Sequence, residues 1–89
     1  MPDIQVTFDH AYGDYADAIF RHIAFRLGDR EQGRELMQET YMKVWEYLAG
    51  GKTVENLRAF LYRVANNLIV DSARRRKIRK VDSLEEMRE

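Results

Sequence analysis

Apolar residues recur three and four positions apart along three successive stretches of this chain, and no run alternates apolar with polar residues as a half-buried strand does. The first stripe is Tyr12, Tyr15, Ala16, Ile19, Phe20, Ile23 and Leu27. A second is Leu36, Met37, Thr40, Tyr41, Val44, Tyr47 and Leu48, and a third is Leu57, Phe60, Leu61, Val64, Ala65 and Leu68. A period of about 3.6 residues commits each stretch to a helix with one buried face. The only proline, Pro2, precedes all three. The expected fold is therefore all-α: a compact bundle of three main helices with a basic C-terminal extension.

Punctuation residues place the boundaries. Residues 1–9 read as an N-terminal lead-in, with the helical pattern beginning at His10. Gly28 suits the residue just past a helix, and Asp29 suits the N-cap of the next, with Gln32 three residues on in a capping-box-like arrangement. The second helix then spans about Arg30 to Ala49 and stops at Gly50-Gly51. Gly33, in its first turns, costs up to about 1 kcal/mol relative to alanine, which tertiary contacts must offset. A short loop leads to Thr53 as N-cap of a third helix, from near Val54 to about Lys77. Ser83 with Glu86 can cap a further short helix. Residues 10–80 form the domain, and residues 81–89 read as a linker stub toward a second domain.

With 89 residues and no cysteine, one domain without disulfides or thiolate metal sites is expected, in a reducing, cytoplasmic setting. No apolar run approaches the roughly 18 residues of a membrane span, so no membrane contact of its own is expected. The chain carries no net charge, but its halves differ. Residues 1–57 sum to −4, residues 58–80 to +7 and residues 81–89 to −3. Such a split offers one surface to a neutral or basic partner and another to a polyanion.

Catalytic patterns are lacking. His10 and His22 are too far apart along one helix for a zinc motif and read as solvated or rim histidines. Glu35 and Glu39 lie one turn apart, but no third ligand completes a metal site, so a solvated acidic face accounts for them better. No enzyme activity and no cofactor are expected.

Two stretches carry functional signals. On the second helix, Glu35, Gln38, Glu39, Met42 and Glu46 fall opposite the apolar stripe, with Trp45 at the edge. Large apolar side chains among a few polar groups are what a partner-binding surface needs; equally, Trp45 could complete the core and leave Met42 as a stray surface residue. On the third helix, six of the seven residues from Arg74 to Lys80 are basic, which attracts phosphates without sequence preference. The same helix carries Tyr62, Arg63, Asn66 and Asn67, groups able to stack on unpaired bases or bond to base edges. Arg63, Asn67 and Arg74 share a face, with Asn66 nearer the back; Asp71 reads as a structural partner of an arginine or a loop.

In order and spacing these pieces resemble region 2 of bacterial sigma factors, specifically the extracytoplasmic-function (group IV) branch of the sigma-70 family. Asp29 to Trp45 is similar to the family's "D…AEDLxQExFxxxW" segment, with Glu35-Leu36, Gln38-Glu39, Tyr41 and Trp45 in register. Phe60 to Asn67 is similar to "WLYRIAxN", and Asp71 to Arg75 to "DxxRR". The likeness covers roughly residues 10–80. Departures are Gly33-Arg34-Glu35 for Ala-Glu-Asp, Phe60 for tryptophan and Tyr41 for phenylalanine.

The resemblance implies a transcription-initiation module that binds core RNA polymerase and stabilises a melted promoter. Glu35, Gln38, Glu39, Met42 and Trp45 would dock on the clamp coiled coil of the β′ subunit. The loop Gly50–Asn56 would help hold a flipped-out base of the single-stranded −10 element, with Asn56, Arg58, Tyr62, Arg63, Asn66 and Asn67 toward the strand. Arg74, Arg75, Arg76 and Lys77 would hold phosphates at the duplex edge. An anti-sigma factor is the implied inhibitor. The competing reading is a helical protein-interaction module whose basic tail reads no DNA; Arg63→Ala and Asn67→Ala, at matched salt, separate the two.

Overall fold

Residues 4–87 are described in the computed structural model of this chain, with side chains from residue 8 to residue 77. They form three helices, α1 (Ile4–Leu27), α2 (Arg30–Ala49) and α3 (Leu57–Met87), with no strand among the described residues. This is the all-α, three-helix architecture that the three apolar stripes dictate. No helix among the described residues is long and apolar enough to cross a membrane.

The turn between α1 and α2 follows its residues. Gly28 adopts φ +67°, open to glycine at no steric cost, and its N–H donates to the Ala24 carbonyl at 2.8 Å. Asp29 is the N-cap of α2: its Oδ1 accepts from the backbone N–H of Glu31 at 2.9 Å and of Gln32 at 3.2 Å. The reciprocal half of a capping box is not formed. The Asp29 N–H goes to the Ala24 carbonyl, and the Gln32 side chain reaches α3 instead.

Three boundaries differ from the sequence expectation. Helix α1 starts at Ile4, not His10, because Phe8 and Ala11 extend its apolar face by another turn and pack against α2. Helix α3 starts at Leu57, not Val54. Asn56, a cap at least as good as Thr53, accepts from the Ala59 N–H through Oδ1 at 3.0 Å, and its carbonyl accepts from Phe60. Helix α3 then runs unbroken to Met87, so Ser83 opens no separate helix; no glycine or proline after Leu57 stops it.

The core lies where the three stripes meet. Ile19 and Ile23 of α1, Val44 of α2 and Leu61 and Ala65 of α3 are fully buried. Thr40, also fully buried, donates its hydroxyl to the Leu36 carbonyl at 2.7 Å, so its one polar atom is satisfied. Gly33 is buried where α2 crosses α1. A Cβ there would sit 2.8 Å from the Ala24 Cβ and 2.9 Å from its Cα. The glycine therefore sets the distance between the two helices.

Tyr41 carries a second internal hydrogen bond, from its hydroxyl to the Ala11 carbonyl at 2.9 Å. Burial, reinforced by the neighbouring tyrosines Tyr12, Tyr62 and Tyr15, pushes its phenol up to about 12. The folded state thus holds the proton more tightly than the unfolded chain, whose tyrosine titrates near 10. The stabilisation is complete below pH 10 and is lost as pH rises toward 12. Tyr41→Phe should therefore cost about 1 kcal/mol near neutral pH. Its deficit against wild type should shrink in denaturant titrations above pH 10; a deficit constant with pH would refute the assignment.

Candidate functional site

Two exposed surfaces emerge, one on α2 and one on α3. The first is the outer face of α2. Glu35, Gln38, Glu39, Met42 and Glu46 are all exposed, while Met37, Thr40, Tyr41, Val44 and Leu48 of the same helix are buried. Met42 is 63% exposed, an unbranched apolar side chain set among carboxylates. Trp45 is 37% exposed, and its ring stands edge-on to Phe8 with centroids 5.2 Å apart. One side of the indole is thereby anchored on α1 and the rest is offered outward, the edge position its spacing predicts. Phe8, which also meets the Tyr41 ring at 5.7 Å, lies in the stretch read as a lead-in and is a supporting residue that the sequence reading missed.

The second surface belongs to α3 and the loop before it. Arg58, Tyr62, Arg63, Asn66 and Asn67, with Asn56 at the helix start, line one open groove of about 680 Å³. Six of the ten expected nucleic-acid residues are thus brought together. Within the groove the Arg58 guanidinium lies over the Tyr62 ring, 5.5 Å from its centroid. Asn56 also spends its side-chain oxygen on capping α3. Asn66, expected nearer the back of the helix, lines the same groove as Asn67.

His22 is half-buried; its Nε2 lies 2.8 Å from Asn66 Oδ1, and its ring meets Tyr62 edge-on at 5.2 Å. The expectation of a solvated or rim histidine holds for both, His10 being exposed and half-buried His22 sitting at the rim; what the sequence did not show is that the His22 ring nitrogen meets Asn66 of α3.

A smaller groove adjoins the first and shares Asn56, Ala59 and Arg63 with it. Its far wall is the loop, with Thr53, Val54 and Glu55, and its floor is Tyr47 and Phe60, whose rings lie 4.8 Å apart. Lys52 holds its ammonium 4.9 Å from the Tyr47 centroid. The loop and the two rings enclose about 320 Å³, with the Lys52 cation nearby.

The basic stretch divides. Arg74 and Lys77 are exposed on α3. Arg75 and Arg76 instead line a groove between α2 and α3 with Glu35, Glu39 and Asp71. Arg76 donates to the Gln32 side-chain oxygen, linking the basic stretch to the start of α2. Asp71, expected to hold an arginine or a loop, lines this groove and makes no ion pair with Arg75 or Arg76 among the described residues.

Comparison with known proteins identifies the family. The family model for sigma-70 region 2 matches residues 11–79. Curated relatives include the ECF RNA polymerase sigma factor SigL of Mycobacterium tuberculosis strains H37Rv and CDC 1551, each 32% identical over 71 residues. The match takes in 79% of this chain and 40% of the relative, so the chain spans about two fifths of the length of those proteins. No solved structure matches at a significant level.

Proposed function

We propose that this chain, which belongs to the sigma-70 region 2 family, is the part of an ECF-type sigma factor that binds core RNA polymerase and holds the melted −10 promoter strand. The observation that carries this reading is the presence of two unlike surfaces on one helical core. An acidic, amide-bearing face with Met42 and Trp45 lies on α2, and a groove of amides, guanidinium groups and a tyrosine lies on α3.

The α2 face suits a basic partner helix, the β′ clamp coiled coil, with Glu35 and Glu39 for charge, Gln38 for directed hydrogen bonds and Met42 and Trp45 for apolar area. The α3 groove suits an unstacked strand. Tyr62 offers a ring for base stacking, worth about 1–3 kcal/mol per base. Arg63 and Asn67 supply hydrogen-bond donors, and the pocket over Tyr47 and Phe60 takes a base turned out of the stack. Arg74 and Lys77 follow on the same helix to hold backbone phosphates. Binding unpaired DNA better than duplex shifts the melting equilibrium toward the open bubble by that difference in affinity. No bond of the nucleic acid is made or broken by these residues.

Gln38→Ala tests the polymerase face. The side chain is exposed and outside the core, so the melting temperature should stay within about 2 °C of wild type. Affinity for core polymerase should fall about tenfold at fixed salt, consistent with loss of an interfacial polar anchor. Equal loss of stability and affinity, or unchanged binding by both Gln38→Ala and Glu39→Ala, would overturn the assignment of this face.

A further inference from the structure

We propose that His22 is a positioning residue for the α3 groove: it fixes the Asn66 amide so that its NH2 edge, and not its oxygen, faces the bound strand. The inference rests on the proposed reading of the groove as a single-strand site and adds to it a donor-only contact of defined chemistry.

An asparagine amide has one acceptor end and one donor end, and left free it rotates to present either. Asn66 is exposed on α3, and rotation about its terminal torsion meets no obstacle from burial. Its Oδ1, however, lies 2.8 Å from Nε2 of His22, which reaches across from α1. An imidazole Nε2 bonded to a carbonyl oxygen carries the hydrogen, so His22 donates and Asn66 accepts. The imidazole cannot swing away without cost, because it is half-buried and its ring is held edge-on against Tyr62 at 5.2 Å. With the oxygen occupied, the free end of Asn66 is its NH2, on the same groove as Tyr62, Arg63 and Asn67.

The chemical consequence is specific. The bidentate asparagine–adenine pairing needs donor and acceptor together. With its oxygen turned toward His22, Asn66 is misaligned for that pairing and presents its NH2 to acceptors: a ring nitrogen or carbonyl oxygen of an unstacked base. The histidine also braces Tyr62, the ring on which such a base stacks, so one residue of α1 sets both the stacking plane and the hydrogen-bonding edge.

The test uses the full chain and fluorescent ten-nucleotide oligomers of deoxyadenosine and deoxythymidine, with an abasic oligomer of equal length and charge, at one salt concentration. His22→Ala should weaken binding to the base-bearing strands about fivefold, the usual scale of one positioned hydrogen bond, and leave the abasic strand unchanged. His22→Gln, whose amide nitrogen reaches the same point, should recover most of the loss. Nitrogen NMR of the imidazole should show the hydrogen on Nε2. Equal weakening on abasic DNA, no weakening on either base, or the hydrogen on Nδ1 with Nε2 bare would overturn the proposal. If wild type itself binds abasic and base-bearing strands equally, the reading of the groove falls and takes this proposal with it. If wild type discriminates and His22→Ala discriminates equally well, only the proposal falls.

Discussion

Gly33→Ala should lower the melting temperature of this chain by about 10 °C, although alanine is the better helix former by about 1 kcal/mol. The propensity gain is small beside what the new methyl meets. A Cβ at position 33 lies 2.8 Å from the Cβ and 2.9 Å from the Cα of Ala24, and the second is backbone that no rotamer change can move. Helices α1 and α2 must separate, loosening contacts through Ile19, Ile23 and Val44, which are buried at their interface. Overpacking of this kind typically costs 1–3 kcal/mol, and each kcal/mol shifts the midpoint of a domain this size by roughly 4–8 °C. Gly13→Ala is the internal control. That glycine is also helical, in α1, but nothing lies within 4 Å of its added methyl, so the substitution should raise the melting temperature by a few degrees. Thermal melts followed by circular dichroism decide the matter: two shifts of the same sign would mean that the close crossing at Gly33 does not exist in solution.

Replacing Arg74, Arg75 and Arg76 together by glutamine should weaken single-stranded DNA binding about a hundredfold at low salt. Each phosphate contact adds about 0.7 to the slope of log affinity against log salt on a single strand, so up to roughly 2 should be lost from that slope. The fold should survive, since all three side chains are exposed and lie beyond the last core residue of α3, Leu68. The single variants are expected to differ. Arg74 faces solvent, whereas Arg75 and Arg76 lie in the groove with Glu35 and Glu39, and Arg76 is engaged with Gln32. Arg74→Gln should therefore take the largest single share of the slope. Affinity measured at four salt concentrations checks this; an unchanged slope in the triple variant would remove phosphate binding from this stretch.

The fold was legible because the chain states it with one period throughout. The stripes ending in Leu27, Leu48 and Leu68 each supply their buried positions, and Gly28, Asp29 and Gly50 mark the ends of α1 and α2 by conformational need. What the sequence concealed was long-range. Phe8 looked like part of a polar lead-in because its reason for being helical, the rings of Tyr41 and Trp45, lies more than thirty residues away. Thr53 and Asn56 are both good caps, and only tertiary packing of Leu57 and Phe60 decides between them. Of the candidate surfaces, the two faces of α2 could be read from its periodicity. The groove on α3 could be read only in part: its donors were visible, but His22, which meets Asn66 beside it, stands 44 positions away. Periodicity reports which face a helix buries, not which polar group of a neighbouring helix ends beside it.

The unbroken course of α3 also makes it a ruler. Arg63 and Arg74 are eleven residues apart on one helix with no glycine or proline between them. Eleven steps of 1.5 Å and 100° bring them to nearly the same azimuth about 16 Å apart. At 3.4 Å per stacked nucleotide that interval is about five nucleotides. In the proposed complex, the place where bases are gripped and the place where phosphates are held are thus spaced by helix geometry alone. A strand is measured as well as bound, and one residue added or removed between Asn67 and Arg74 would swing one station by about 100° away from the other.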